Sequence, residues 1–202
     1  MRIIVTAGPT KEMWDSVRFI SNLSSGKTGY AIARCAYNMG SEVTLISGKN
    51  RQPPEKITYI PVFSALDMFK EVEKNIDRAD IFISTAAVSD FRPVRQKKKI
   101  SKKNGMPRIK FRKNPDILKW VGENYPQKLI VGFSLSDEVN IVKDENKLQA
   151  KSCDIMVFNT VQNMGQEHKT FILSDGKNKQ KFKNIHVQEM AKIILEKCQK
   201  KI

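Results

Sequence analysis

Cysteine and histidine are scarce in these 202 residues. The three cysteines, Cys35, Cys153 and Cys198, are odd in number and far apart. They have neither metal-ligand spacing nor the density of a disulfide framework, which points to a reducing compartment, the cytoplasm. Two histidines, His168 and His186, are too few for a histidine-based metal site. Long apolar runs are missing as well. Arg2-Ile3-Ile4-Val5 stops at Thr6, so no signal peptide is expected at the N-terminus, and nothing approaches the roughly 20 residues that span a bilayer. Negative charge is the third shortage: 21 acidic residues face 36 basic ones, for a formal charge of +15. That excess calls for an anionic partner. The lysines are spread along the chain, however, and no zinc-finger, RNP or other nucleic-acid signature accompanies them, so nucleic acid is the weaker expectation.

What is present begins with Ser21-Asn22-Leu23-Ser24-Ser25-Gly26-Lys27-Thr28-Gly29. This stretch follows the strand-like run Ile3-Ile4-Val5 and opens a helical pattern from Tyr30 to Ala36. Hydroxyls, glycines and a lysine at a helix start suit a phosphate, because the first N–H groups of a helix have no partner within it. A capped helix with Ser24 or Ser25 as N-cap accounts for the same residues. The stretch is not a P-loop, since no glycine stands five residues before Gly26. Nor is it a dinucleotide site: the Gly-x-Gly-x-x-Gly fingerprint is missing and no acidic residue ends the second strand.

The rest of the chain alternates strands and helices. Strands are expected at Arg2–Thr6, Glu42–Ile46, Ile57–Val62, Asp80–Ser84, Leu129–Phe133 and Asp154–Phe158. Helices are expected at Gly29–Met39, Ala65–Ile76, from Asn114 to about Asn124, at Glu138–Lys151 and at Val187–Lys200. Thr170–Leu173 and Lys179–Phe182 read as a β-hairpin. The rhythm is that of an α/β fold, a Rossmann-like open and mostly parallel sheet with helices on both faces and a C-terminal hairpin, in one domain. Gly8 stands where the first strand hands over to its helix, the usual ligand crevice of such a sheet. Lys11–Phe19 reads as irregular, pinned to the body by Trp14, Val17, Phe19 and Ile20. Asp90 follows a strand end rich in small residues and is either a turn residue or an acceptor for a ligand. Asn114-Pro115-Asp116 reads as a helix start with Asn114 as cap. The basic run from Arg95 to Lys103, inside a segment of about 93–108, is either a solvated tip or a flexible flap that brings a lysine onto phosphates. Phe133 ends a strand, where it either stacks on a base or joins the core.

Several blocks in order resemble the phosphopantothenoylcysteine synthetase (phosphopantothenate–cysteine ligase) family. They are Thr6-Ala7-Gly8-Pro9-Thr10, Val17-Arg18-Phe19-Ile20-Ser21-Asn22 with Ser24-Ser25-Gly26-Lys27, and Ala86-Ala87-Val88-Ser89-Asp90-Phe91. Lys99-Ile100-Ser101-Lys102-Lys103, Lys113-Asn114-Pro115-Asp116, Gly132-Phe133, Lys147-Leu148 with Lys151 and Asp154, and Asn159 complete the set. The resemblance runs from Met1 to about Val161. It implies a ligase of coenzyme A biosynthesis that joins 4′-phosphopantothenate to cysteine. The carboxylate is first activated by a nucleoside triphosphate, CTP or ATP with Mg²⁺, as an acyl nucleotidylate. It also implies a homodimer with residues of both subunits at each site. No flavin-binding stretch is found in the sequence, so a flavin-dependent decarboxylase is expected as a separate pathway partner.

Residue by residue, the resemblance implies that Asn22 and Lys99 serve catalysis, with Lys98 and Lys102 as alternatives for the flap lysine. Gly8, Ser24, Ser25, Gly26, Gly29, Asp90, Lys113, Asn114, Pro115, Asp116, Phe133, Lys147 and Lys151 would surround the nucleotide. Asn22, Ala86, Ala87 and Asp90 would meet phosphopantothenate. No metal held by the protein itself is implied. Where bifunctional relatives read Gly-Phe-Ala-Ala-Glu-Thr, this chain has Gly132-Phe133-Ser134-Leu135-Ser136-Asp137.

Overall fold

The computed structural model describes residues 1–48, 51–101, 105, 107–137 and 141–202, with backbone alone for 141–145. The chain runs β1 (Arg2–Ala7), β2 (Lys11–Met13), β3 (Phe19–Ser21), α1 (Lys27–Asn38), β4 (Glu42–Gly48), β5 (Thr58–Val62), α2 (Ala65–Asn75) and β6 (Ile81–Ser84). It continues through β7 (Phe91–Pro93), β8 (Phe111–Lys113), α3 (Ile117–Asn124), β9 (Leu129–Ser136), α4 (Ile141–Ala150) and β10 (Ile155–Thr160). It ends with β11 (His168–Ser174), β12 (Lys179–His186) and α5 (Val187–Gln199).

Eight of these strands form one sheet in the order β12-β11-β10-β9-β6-β1-β4-β5. Neighbours from β10 to β5 pair in parallel, while β11 and β12 run antiparallel as the C-terminal hairpin. The expected α/β architecture is therefore present. β1 reads as a near-continuous apolar run because both its faces are covered. On one face Ile3, Val5, Ile81 and Ile83 pack against α1 and α5. α5 meets them with Val187, Met190, Ala191, Ile194, Leu195 and Cys198, spaced to share one stripe of a helix. On the other face Ile4, Phe82, Ile130 and Met156 pack against α2 and α3. Each such fully buried apolar side chain contributes about 1.5–3 kcal/mol. Burial also pushes the Cys153 and Cys198 thiols up to about 12. All three cysteines are free, and among the described residues no helix is long and apolar enough to cross a membrane.

Three local expectations are corrected. Lys11–Phe19 is not irregular: β2 and β3 pair as an antiparallel hairpin, Lys11 opposite Ser21 and Met13 opposite Phe19. Of the apolar residues expected to pin it, Val17 is 61% exposed and Ile20 is exposed as well, whereas Trp14 is half-buried under Arg18 and Phe19, though 47% exposed, meets the Phe63 ring edge-on at 6.4 Å. Asn114 is not the cap of α3. Asp116 is, accepting from the Lys119 N–H at 3.1 Å. Gly26, rather than Ser24 or Ser25, is the N-cap of α1. Lys102 and Lys103 of the basic run, Asn104 after it, and the expected start of α4 at Glu138 lie outside the described residues.

Candidate active site

From β1 the chain moves out to β4 and β5, then returns across β1 to β6 and β9. The strand order thus reverses between β1 and β6, and the crevice beyond the C-terminal ends of those strands is where an open α/β sheet takes ligands. Two adjoining cavities open there. One is a recess of about 160 Å³ under the N-terminus of α1. The other is a broad cleft of about 730 Å³ that reaches toward α3 and α4. Ala86, Ala87, Phe133, Ser134, Leu135 and Met164 line both and form the sill between them.

The recess is built by close backbone approach. Gly26 has φ of 73°, which lets the chain turn sharply into α1. Gly29 sits so near β1 and β6 that a Cβ there would lie 2.5 Å from the Ala7 Cβ and 2.4 Å from the Thr85 Oγ1. Its absent side chain brings the helix start down onto the sill. No side chain caps α1. The Ser24 hydroxyl instead accepts from the Gly26 N–H at 3.3 Å, and the Ser25 hydroxyl lies 3.5 Å from the Lys27 N–H. Thr28 and Gly29 of this first turn also line the recess, so the helix start faces it, an arrangement that favours an anion. Lys27 spans the rim to the turn after β10, with its Nζ 3.2 Å from the Gly165 carbonyl and 3.4 Å from the Glu167 carboxylate.

The broad cleft gathers residues from widely separated stretches of the chain. The Asn22 side chain donates to the Ala87 carbonyl at 2.8 Å, which ties the end of β3 to the sill. Asp90, Lys113, Pro115 and Asp116 line the wall toward α3, and Lys147 and Lys151 face them from α4 and its end. Lys147 Nζ is 3.0 Å from the Ser134 hydroxyl, and Lys151 pairs with Asp116. Asn114 lines the cleft but is buried, and its amide is engaged: Nδ2 donates to the Ser89 carbonyl at 2.7 Å and Oδ1 accepts from Arg92 at 2.8 Å. It positions this wall. Gly8 is also buried and lines neither cavity; its carbonyl accepts from the Ala87 N–H at 3.0 Å and fixes the sill from beneath.

The remaining wall is made of hairpins. β7 pairs with β8, Phe91 opposite Lys113, and the basic segment connects them. Lys99 is exposed and lines neither cavity in this single chain. The described part of the basic segment is nonetheless tied down. Asp15, at the β2–β3 turn, is fully buried and accepts from the Val17 and Arg18 N–H groups at 2.8 Å, from the Arg18 guanidinium and from the Ile100 N–H at 3.0 Å. Arg18 holds this carboxyl well below the usual carboxylate range. The same guanidinium donates to the Ile100 carbonyl at 3.2 Å and lies over the Trp14 ring.

Fourteen of the site residues expected from the sequence thus share the two cavities in addition to Asn114, while Gly8 and Lys99 stand outside them. Sequence reasoning passed over Lys169, Asn163, Met164 and Thr85, all of which line the recess. Thr85, beside Ala86-Ala87, carried a signal in its place at a strand end. Asn163 and Met164 come from the β10–β11 connection and Lys169 from the start of β11, and the return of this region to α1 is a tertiary event with no local mark.

The family model for the DNA/pantothenate metabolism flavoprotein C-terminal domain matches residues 1–202. The coenzyme A biosynthesis bifunctional protein CoaBC of Borreliella burgdorferi is 34% identical over 201 residues, covering 96% of this chain and 50% of that protein. The chain spans about half the length or less of the curated CoaBC proteins it matches. A crystal structure of the C-terminal domain of a CoaBC protein superposes with a TM-score of 0.85 at 34% identity, covering 98% of this chain and 93% of that one. The DNA/pantothenate metabolism flavoprotein from Streptococcus pneumoniae gives a TM-score of 0.89 at 26% identity, with both chains covered in full.

Proposed function

The chain belongs to the DNA/pantothenate metabolism flavoprotein C-terminal domain family, and on that premise we propose that it is a ligase of coenzyme A biosynthesis that joins 4′-phosphopantothenate to the amino group of cysteine. A nucleoside triphosphate, CTP by preference over ATP, drives the reaction. The observation that carries this reading is the meeting of Asn22, Ser24–Gly26, Ala86-Ala87, Asp90, Lys113–Asp116 and Lys147 with Lys151 around one continuous opening.

In this reading the base and ribose lie in the broad cleft, between Phe133, Lys113–Asp116 and the two lysines. The phosphates cross the sill toward the N-terminus of α1. The carboxylate of phosphopantothenate attacks the α-phosphate, pyrophosphate leaves, and an acyl nucleotidylate remains. The cysteine amine then attacks the acyl carbon and the nucleoside monophosphate departs. These residues act by holding two anions in line and by supplying donors where charge develops. Asn22, fixed to Ala87, is placed to donate toward the reacting carbonyl. Among the described residues no cluster of three His, Cys, Asp or Glu could hold a metal. Mg²⁺ would therefore be carried in on the phosphate oxygens of the nucleotide, where it would keep several waters. Such an ion would neutralise charge on the phosphates.

A homodimer belongs to the same proposal. Leu23 is 90% exposed beside Asn22, and Phe19, Ile20, Phe91 and Phe111 are exposed on the nearby hairpins, an apolar face that a second copy would cover. Sedimentation at micromolar concentration should give twice the 23.1 kDa chain mass; a single-chain mass would remove the dimer. The deciding experiment mixes the chain with Mg²⁺, phosphopantothenate and each of CTP, ATP, GTP and UTP. Pyrophosphate release that depends on phosphopantothenate, followed by amide formation on adding cysteine, is the expected result. No release with any of the four ends the proposal.

A further inference from the structure

The recess under α1 contains a buried charge that the steps above leave unused. Lys169, on β11, is only 6% exposed and lines the recess with Ser24, Ser25 and Gly26. Its Nζ lies 2.8 Å from the Asn163 carbonyl, its one hydrogen bond among the described residues. Burial, and then the Lys27 ammonium, push its pKa below that of an ordinary lysine. The carboxylate at hand, Glu167, is exposed and already serves Lys27. Lys128, at the opposite end of the sheet, shows what a settled buried lysine looks like. It is 8% exposed, donates to the Asp77 and Ala79 carbonyls at 3.0 and 2.7 Å, and stands over the Tyr125 ring. A buried ammonium with one neutral acceptor and a second ammonium nearby is costly unless something negative joins it.

We propose that Lys169 is a ligand for the terminal phosphates of the nucleotide, so that the recess selects a triphosphate or pyrophosphate over a monophosphate. The assignment rests on the nucleotide reading of the site. A nucleotide whose base lies by Lys113–Asp116 and whose α-phosphate lies on the sill near Asn22 extends its far phosphates past Ala86-Ala87 into the recess. There the backbone donors of α1, Lys27 and Lys169 converge. Such an anion supplies the charge that the fold omits, through charge-assisted hydrogen bonds. The competing role for Lys169 is a strut that holds the 161–165 turn through Asn163.

The experiment measures binding of pyrophosphate and of CMP by calorimetry, with thermal unfolding of the ligand-free protein alongside, in wild type, Lys169→Met, Lys169→Gln and Lys169→Arg. Lys169→Met should weaken pyrophosphate binding at least about tenfold, leave CMP binding unchanged, and keep or raise the unfolding temperature, because a costly buried charge is gone. Lys169→Arg should recover part of the pyrophosphate affinity. Lys169→Gln keeps a donor for the Asn163 carbonyl without the charge, and should bind pyrophosphate as poorly as the methionine variant. It gives the same answer if that variant does not fold. Unchanged pyrophosphate affinity in the uncharged variants overturns the assignment. So does an equal loss of both ligands with a lowered unfolding temperature, which would make Lys169 a strut. Wild-type protein that binds neither ligand overturns the nucleotide reading along with it, whereas a failure confined to the variants removes Lys169 alone.

Discussion

The opening at the switch point has two walls of opposite character. One is the sheet itself, the ends of β1, β6 and β9 with the start of α1. It is backed by the fully buried Val5, Ile83 and Val131 and stitched by main-chain bonds such as Thr85 N–H to the Thr6 carbonyl at 3.1 Å. The other is a pair of two-stranded hairpins with three-residue strands, which expose Val17, Phe19, Phe91 and Phe111. The first wall carries backbone donors and lysines, and its form is set by packing within the chain. The second is held by two buried carboxylates, Asp15 at the β2–β3 turn and Glu12, which accepts from the Ala65 N–H at 2.9 Å, and it leaves apolar surface uncovered. The difference separates two tasks. A wall rigid from its own core can hold phosphates unaided. A wall of exposed hairpins is one that, in the proposed reading, a second copy and the substrates would complete from outside. Damage to the β2–β3 hairpin should therefore stop amide formation and leave pyrophosphate binding intact.

The sharpest test falls where the walls meet. Asn22 ends the hairpin wall, and its amide reaches the sill at Ala87. In Asn22→Asp a carboxylate would face both that carbonyl and the charge developing on the reacting oxygen. Loss of one such donor costs on the order of a hundredfold in rate, and reversing its charge costs no less. Amide formation should fall at least that far, while pyrophosphate affinity, which depends on the recess in the other wall, stays as in wild type. Wild-type product formation by this variant would remove Asn22 from the chemistry. A parallel loss of pyrophosphate binding would show that the walls are not separate.

A smaller effect is expected from loosening the hairpin wall alone. Asp15→Ala removes the acceptor of the Ile100 N–H and leaves the Arg18 guanidinium without its partner. Trypsin should then cut at Lys97–Lys99 several-fold faster than in wild type, and pyrophosphate should bind as before. Acid should reproduce this in the unmodified chain. The folded pKa of Asp15 lies below its unfolded value, near the ordinary 3.9. Its stabilisation is therefore complete above that unfolded value and is lost as pH falls through the folded one. Cleavage by an acid-active protease at the hairpin should thus rise only below about pH 4. Earlier release, between pH 5 and 7, would mean that another group holds the segment. With phosphopantothenate and CTP bound, cleavage at Lys97–Lys99 should slow further, as expected of a flap. Equal rates with and without those ligands would leave it a tethered loop and take Lys99 out of the site.

The two walls also differed in how far the sequence disclosed them. The sheet wall was legible because its elements are long and its chemistry local. Ile3-Ile4-Val5 and Ile81-Phe82-Ile83 are apolar runs long enough to read as buried strands, and Ser24-Ser25-Gly26 announces a helix start by composition. The hairpin wall was not. Three-residue strands cannot show an alternating period, and Lys11–Met13 pairs with Phe19–Ser21 because Asp15 organises the turn between them, a fact of burial and not of spacing. Asn114 misled for a related reason. It has the right chemistry for a cap, but its amide is taken by Ser89 and Arg92, and the cap passes two residues on to Asp116. Lys169 looked like one more lysine in a lysine-rich chain, because burial alone distinguishes it.

The smallest expected effect concerns the rim of the cleft, where Asp116 does two things at once. Its Oδ1 caps α3 through the Lys119 N–H, and its Oδ2 pairs with Lys151. Both partners of the ion pair are about a third exposed, so solvent screens it, and pairs of this kind contribute only about 0–1 kcal/mol. Losing an N-cap costs typically ~1 kcal/mol, and asparagine caps as well as aspartate. Asp116→Ala should therefore lower stability to urea by about 1 kcal/mol, and Asp116→Asn by a few tenths at most. Neither should move pyrophosphate affinity, because the recess lies across the sill. If Asp116→Asn is as destabilising as Asp116→Ala, the pair with Lys151, and not the cap, sets this edge of the cleft. If either variant weakens pyrophosphate binding, the nucleotide's far phosphates lie in the broad cleft beside Lys151 instead of under α1.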